Sequence, residues 1–193
     1  MPKIDAPTVA EHRAQKERAI LAATVELLTT IGQDAVTPAA VAERAGLART
    51  SVYQYHPSSA SLVAAAVEEL FRFAQIEVGE ALAASGTDPV ERLRGYVMAM
   101  LRLAQAGHSP NRPISLVGAP DACRLRIRRL HDDLMAPLVG IVADLGASDA
   151  RLQAALASGS IQGAVALVEH GADLHATTEA TCDFLQRAVA GVR

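Results

Sequence analysis

Thr37 to Leu62 (TPAAVAERAGLARTSVYQYHPSSASL) constrains this 193-residue chain more than any other stretch, because a helix start, a helix stop and a second start fall within one short span. Thr37 is placed to cap a helix, since its hydroxyl can accept a bond from an orphan backbone N–H of the first turn. Pro38 follows at the first helical position, where its missing N–H costs nothing and its φ is already helical. Val36 and Val41 stand at the two positions of a hydrophobic staple. Gly46 can take the left-handed conformation and end the helix, letting Leu47 fold back onto it. Arg49 to Tyr55 then begins a second short pattern, and two short helices joined by a Gly-containing turn are the sequence form of a helix-turn-helix. In the second helix Arg49, Thr50, Ser51, Gln54 and Tyr55 can reach outward, while Val52 and one face of Tyr53 look inward. A helix that touches phosphates and base edges needs such an outer row of donors. A small solvated helix in a bundle would have the same pattern.

The order Gly32, Ala35-Val36-Thr37, Val41-Ala42, Ala45-Gly46-Leu47, Arg49-Thr50-Ser51-Val52-Tyr53, Tyr55, Ser58, Leu62 runs without a gap, and over residues 9 to 66 it resembles the N-terminal signature of the tetracycline-repressor (TetR) family. The resemblance implies an all-α fold. Its parts would be a three-helix helix-turn-helix head over residues 1–57, with an arm at 1–7, and a ligand-binding and dimerisation domain of about six helices over 58–193. It implies a palindromic double-stranded DNA operator bound by a homodimer and released by a small-molecule effector. Arg49, Thr50, Ser51 and Gln54 would then contact bases or nearby phosphates. Thr37, Tyr53 and Tyr55 would hold phosphates or position the head, with His56 and Ser59 beside them.

Four positions depart from the family pattern. Gln33 stands where an aromatic residue is usual, Ala48 replaces the usual Ser or Thr cap of the second helix, and His56 replaces Phe. Ser59 replaces a Lys that contacts phosphate, which should lower the salt slope of DNA binding by about one unit. Backbone N–H groups at the helix start around Ser58 and Ser59 can still face a phosphate. These departures keep a second reading open: a helical small-molecule-binding dimer whose specific DNA binding is weak or lost.

Along the rest of the chain, Thr8-Val9-Ala10-Glu11 forms a capping box that starts the first helix. Ile20, Ala23, Leu27, Leu28 and Ile31 form its apolar stripe. Arg13, Lys16 and Arg18 lie on its polar face, as phosphate neighbours or simply as a solvated charged face. Ser58 caps a long helix to about Ala84, with Leu62, Val63, Val67, Leu70, Phe71 and Ala74 inward. Asp88 and Pro89 open the next helix, to about Ala106. Gly107 to Pro120 is irregular, with room for one short helix at 114–117. A helix follows from Asp121, with Pro137 inside it, and another from Ser148 or Asp149 to about His170. Thr177 or Thr178 would cap the last, to about Val189.

Ala155, Gly159 and Gly163 recur every four residues on one helical face, and glycine inside a helix costs about 1 kcal/mol against alanine. Close approach of another helix explains the pattern, from the same subunit or from a partner. Family resemblance favours the partner, with Phe184 and Val189 in the same interface. Tyr96, Met100, His131, Met135 and Gln162 are the polar or adaptable residues on helices that resemblance places around an effector pocket, and a modest apolar ligand is expected.

The formal net charge of −3 excludes a generally basic nucleic-acid coat. Residues 1–60 carry six Lys/Arg and six Asp/Glu, so DNA contact would rest on local placement of Lys3, Arg13, Lys16, Arg18, Arg44 and Arg49. Arg124, Arg126, Arg128 and Arg129 form a second basic cluster, more simply a solvated face paired with acids such as Asp132 and Asp133. The longest run free of charged residues and histidine, Leu152 to Val168, has 17 residues, two Gln and two Ser among them, against the roughly 20 mostly apolar residues of a membrane span. The opening residues lack the apolar region of a secretory leader, so a cytoplasmic protein with reduced Cys123 and Cys182 is expected. No phosphate loop, dinucleotide fingerprint or nucleophile elbow is present. His131-Asp132 lacks the companions of a metal phosphohydrolase, and His170, Asp173 and His175 lack a supporting Cys or Glu. No enzyme, cofactor or metal site is therefore expected.

Overall fold

The structure is a computed structural model that describes residues 9–110 and 112–190. The expected arm at 1–7, Lys3 within it, and the Thr8 cap lie outside the described residues. Eight α-helices and no strand occur among those described: α1 (Val9–Thr30), α2 (Pro38–Ala45), α3 (Arg49–Tyr55), α4 (Ser59–Ala84), α5 (Pro89–Gln105), α6 (Asp121–Asp144), α7 (Ala150–Glu169) and α8 (Leu174–Ala190). A single 3₁₀ turn, Gln33–Ala35, links α1 to α2. The all-α expectation is met.

Packing divides the chain into two compact units. The first holds residues up to Glu69 together with Ile114–Leu125; the second holds Leu70–Pro113 and the chain from Arg126 onward. The division by packing thus falls inside α4.

In the first unit α1 packs on α2 and α2 on α3. Ile20, Val36, Val41, Val52, Leu62 and Val63 are fully buried there, and removing each from water contributes about 1.5–3 kcal/mol. The anticipated caps form. The Thr37 hydroxyl accepts from the Ala40 N–H at 3.1 Å. Gly46 ends α2 at φ 66°, where the Leu47 N–H reaches the Ala42 carbonyl at 2.9 Å. Leu47 needs that return, so Gly46 needs its left-handed backbone. Ile31 departs from the expected stripe: it lies beyond the last turn of α1 and is 66 % exposed.

Residues 114–117 form no helix, and Val117 is 87 % exposed. The reason is a side chain far away in sequence. The Gln33 amide N–H donates to the Ser115 carbonyl at 2.8 Å, and its carbonyl accepts from the Ser115 N–H, also at 2.8 Å. One amide side chain satisfies both backbone groups of Ser115, much as a paired strand would, so neither is left for a helical turn.

In the second unit α5, α7 and α8 pack on one another. Leu70, Leu93, Leu101, Leu138, Ile141 and Ile161 are buried at its centre. Gly95 permits the close approach of α4 and α5, since a Cβ there would stand 3.3 Å from the Ala81 carbonyl oxygen and closer still to the Ser85 hydroxyl. Asp88 caps α5 by accepting from the Val90 N–H at 3.0 Å, and Asp149 caps α7 through the Leu152 N–H at 3.0 Å.

The start of α8 corrects the sequence expectation. Asp173 caps it, accepting from Ala176 N–H at 2.7 Å, and the helix is already running at Thr177 and Thr178. Thr178 is buried with its hydroxyl donating to the Leu174 carbonyl at 2.8 Å, the bond a threonine makes inside a helix. Leu125, an apolar residue in the second turn of α6, is half exposed.

Candidate nucleic-acid interface

The second helix of the helix-turn-helix, α3, is held by one anchor. Val52 is fully buried, whereas Arg49, Thr50, Tyr53 and Gln54 are exposed and Ser51 is partly so. Ala48 precedes α3 without a side-chain cap bond, as its methyl group dictates. Tyr53 points outward more than the sequence pattern implied. The Arg49 guanidinium lies 5.5 Å from its ring centroid and donates to its hydroxyl at 3.1 Å. Arg49 and Tyr53, four residues apart, therefore form one exposed unit on the α3 surface.

Tyr55 closes α3 against α1. Its hydroxyl donates to the Arg13 carbonyl at 3.3 Å, and the Arg13 guanidinium sits 5.7 Å from its ring centroid. Between α1 and α3 lies a cleft of about 360 Å³ lined by His12, Arg13, Lys16, Gln54 and Tyr55. His12 was not singled out from sequence. The signal was available, because positions 12, 13 and 16 share one helical face. Arg44, by contrast, is tied to Glu26 in an ion pair, so its charge is already opposed.

His56, at the C-terminal end of α3, is half buried, and that burial holds its imidazole below the usual histidine range. The Glu17 and Glu68 carboxylates, from α1 and α4, pull the other way. Ser58 and Ser61 cap α4 reciprocally: the Ser58 hydroxyl accepts from the Ser61 N–H at 3.1 Å and the Ser61 hydroxyl from the Ser58 N–H at 3.2 Å. Ser59 follows as the first residue of α4, partly exposed.

The second unit carries a different surface. Ala155, Gly159 and Gly163 are all exposed, and a Cβ built at either glycine meets nothing within 4 Å. Among the described residues nothing packs against those two positions, so contacts within the described chain do not account for the two glycines. Leu156 (65 % exposed) and Phe184 (58 % exposed) stand on the α7–α8 surface with Leu152 and Leu167. Two grooves of about 520 and 590 Å³ run along it, sharing Ser160 and Phe184. Val189 lines the first but is itself largely buried.

The residues expected around an effector scatter. Tyr96 and Met100 are buried, Met135 and Gln162 are partly exposed and His131 is exposed. Burial pushes the Tyr96 phenol above its ordinary range, and its hydroxyl donates to the Leu134 carbonyl at 3.1 Å. His131 meets Phe71 edge to face, 6.1 Å between ring centroids. None of these five lines the α7–α8 grooves or a further cleft of about 370 Å³ formed by Phe73, Ile76, Arg102, His108 and their neighbours.

Other candidates resolve into structure. Arg124 pairs with Asp121 and donates to the Ala119 carbonyl at 2.6 Å, so it closes the start of α6. Asp173 is a helix cap, and the His170 ring nitrogen stands 2.7 Å from the Ala166 carbonyl oxygen. Burial raises the Cys182 thiol to about 11, which suits a packed side chain and not a nucleophile. Among the described residues no cluster of three potential metal ligands occurs, and no helix is long and apolar enough to cross a membrane.

Residues 20–66 match the model of the bacterial regulatory proteins, tetR family. The HTH-type transcriptional repressor KstR of Mycolicibacterium smegmatis is 34 % identical over 95 residues, 49 % of this chain and 46 % of that protein, so the match spans about half the length of the curated relative. A TetR-like transcriptional regulator from Rhodococcus sp. RHA1 superimposes with a TM-score of 0.70 at 21 % identity, covering 96 % of this chain and 100 % of the other. The transcriptional regulator FadR of Bacillus subtilis, solved in complex with stearoyl-CoA, gives a TM-score of 0.73 at 18 % identity over 92 % and 100 %. At such identities the two structures speak for the fold alone.

Proposed function

We propose, for a chain that belongs to the tetR family of bacterial regulatory proteins, that it represses transcription in the cytoplasm by binding a palindromic operator as a homodimer and leaves the DNA when a small molecule binds. The observation that carries the reading is α3: a polar, exposed row of Arg49, Thr50 and Gln54 over one fully buried Val52, behind a helix capped by Thr37 and ended by Gly46. Such a helix can enter a major groove with its donors forward. In this account residues 1–57 read DNA and 58–193 bind the ligand and dimerise. Arg49, Thr50, Ser51 and Gln54 meet bases or adjacent phosphates. Thr37, Tyr53, Tyr55, His56 and Ser59 meet phosphates or orient the head.

The homodimer is supported by the exposed apolar surface of α7 and α8, with Ala155, Gly159 and Gly163 admitting a partner helix and Phe184 at the centre of two grooves. Large exposed apolar patches mark interaction surfaces. Two copies related by a twofold axis would set two α3 helices into successive major grooves, about 34–36 Å apart. The effector acts through the ligand-binding part, with Tyr96, Met100, His131, Met135 and Gln162 as its proposed neighbours. The buried, internally satisfied Tyr96 and the buried Met100 favour an apolar ligand, and the similar FadR of Bacillus subtilis is solved in complex with stearoyl-CoA. Release requires that the ligand prefer one spacing of the two DNA-reading helices over another.

A second reading, a ligand-binding dimer with weakened DNA specificity, draws on the uncapped start of α3 at Ala48 and the absent cation at Ser59. Selection by the intact protein from a pool of random duplexes separates the two. Enrichment of an inverted repeat with half-site centres one helical turn, or a multiple, apart supports the repressor. A pool that stays random through successive rounds contradicts it.

A further inference from the structure

The departure at Ser59 removes a cation from the DNA-facing side of α4, and the cleft between α1 and α3 contains what could replace it. Arg13 and Lys16 bring two positive charges, His12 an imidazole, and Gln54 and Tyr55 a carboxamide and a phenol; among the described residues no carboxylate lines the cleft. His12, Arg13 and Lys16 are exposed, so their heads reach the solvent from which a ligand would come. The cleft is built and not incidental to one flexible side chain. The Tyr55 hydroxyl bonds to the Arg13 carbonyl at 3.3 Å and the Arg13 guanidinium lies 5.7 Å from the Tyr55 centroid, which fixes α1 against the end of α3. Spacing supplies the rest: residues 12, 13 and 16 fall on one face of α1, toward the helix that carries Gln54.

We infer that this cleft is a phosphodiester clamp, in which Lys16 and Arg13 grip a backbone phosphate of the DNA that α3 reads and so take over the anchoring task absent at Ser59. The inference rests on the DNA-binding reading above and adds a second, sequence-independent grip to it. Its ligand is an anion with bulky neighbours, which suits an open cleft of about 360 Å³ better than a closed pocket would. Gln54 belongs both to the exposed row of α3 and to the cleft wall, so a phosphate seated there fixes the register of α3 over the bases. Because phosphate contacts displace condensed counterions, the clamp has a signature that a merely structural role lacks: the steepness of the salt dependence.

The test uses the full chain and a fluorescein-labelled duplex of mixed sequence, with anisotropy followed across a salt series. Lys16→Gln and Arg13→Gln should each flatten the plot of log affinity against log salt by about one unit per bound subunit. Arg129→Gln, which removes an exposed charge from α6, should leave the slope unchanged. Thermal unfolding of each variant guards against a damaged head, and Lys16→Gln is the decisive one because the Arg13 side chain also lies over the Tyr55 ring. A steep slope in the unaltered chain that Lys16→Gln retains in full overturns the clamp and leaves the DNA reading standing. Equal flattening by Arg129→Gln also overturns it, by reducing the effect to bulk charge. Failure of the unaltered chain to bind any duplex in a salt-dependent way overturns the DNA reading, and the clamp with it.

Discussion

The surface around α3 and the surface of α7–α8 are both exposed, yet they are made of opposite materials. Around α3 the exposed residues are Arg49, Thr50, Tyr53 and Gln54, with Arg13 and Lys16 beside the cleft. On α7–α8 they are Leu152, Leu156, Leu167 and Phe184 around a row of Ala and Gly. A polyanion and a second protein copy ask for these two chemistries in turn. Phosphates need donors held at fixed spacing but left in water until contact. A partner helix needs apolar area and close approach, and gains nothing from charge. In the proposed function the contrast gives the two partners to the two surfaces, even though the whole chain, with its net charge of −3, announces neither.

The sharpest way to break the contrast is to give the apolar surface the wrong chemistry. Phe184→Glu should raise the dissociation constant of the homodimer about a thousandfold, because a twofold interface loses a central aromatic twice, at about 2 kcal/mol each. Sedimentation equilibrium measures this; self-association at unaltered strength would remove Phe184 from the interface. The opposite change takes a donor from the polar surface. Arg49→Ala should lower affinity for the selected operator 10- to 100-fold, the loss of about 1–3 kcal/mol expected for one good base contact, while self-association stays as it was. An equal loss on operator and on scrambled duplex would make Arg49 a phosphate ligand instead.

The smallest effect belongs to a residue on neither surface. Gln33→Ala removes both bonds to Ser115 and should destabilise the protein by about 1 kcal/mol, lowering the thermal midpoint by a few degrees. Faster hydrogen exchange at the Ser115 amide would accompany it, with both binding constants preserved. A variant that loses DNA affinity without losing stability would instead tie Gln33 to the DNA-binding surface.

What could be read from the chain beforehand follows from how far each feature reaches along it. Thr37, Pro38 and Gly46 act on backbone groups within a turn of themselves, so the helix-turn-helix was legible residue by residue. So were Asp88 with Pro89, and Asp149. The start of α8 was misplaced because Asp173, Thr177 and Thr178 are all capping residues, and spacing alone does not choose among them. The irregular stretch at 114–117 is set by Gln33, 82 positions from Ser115, and no local pattern encodes that pair. At the candidate interface the exposed row of α3 could be anticipated, but the contribution of α1 became specific only when Tyr55 was seen to bond across to Arg13. The neighbours of an effector were least legible. Lining a cavity depends on how helices lean on one another, and Tyr96 turns its polar atom to the Leu134 carbonyl.

The central claim, that two copies joined through the apolar surface present two polar helices to one operator, is tested most directly by a stoichiometric anisotropy titration. The intact chain is titrated against a selected inverted-repeat duplex, well above its dissociation constant. The account predicts a break at two chains per duplex, or a multiple of two, with loss of tight binding when one half-site is scrambled. A break at one chain per duplex, or binding indifferent to the scrambled half, would contradict it.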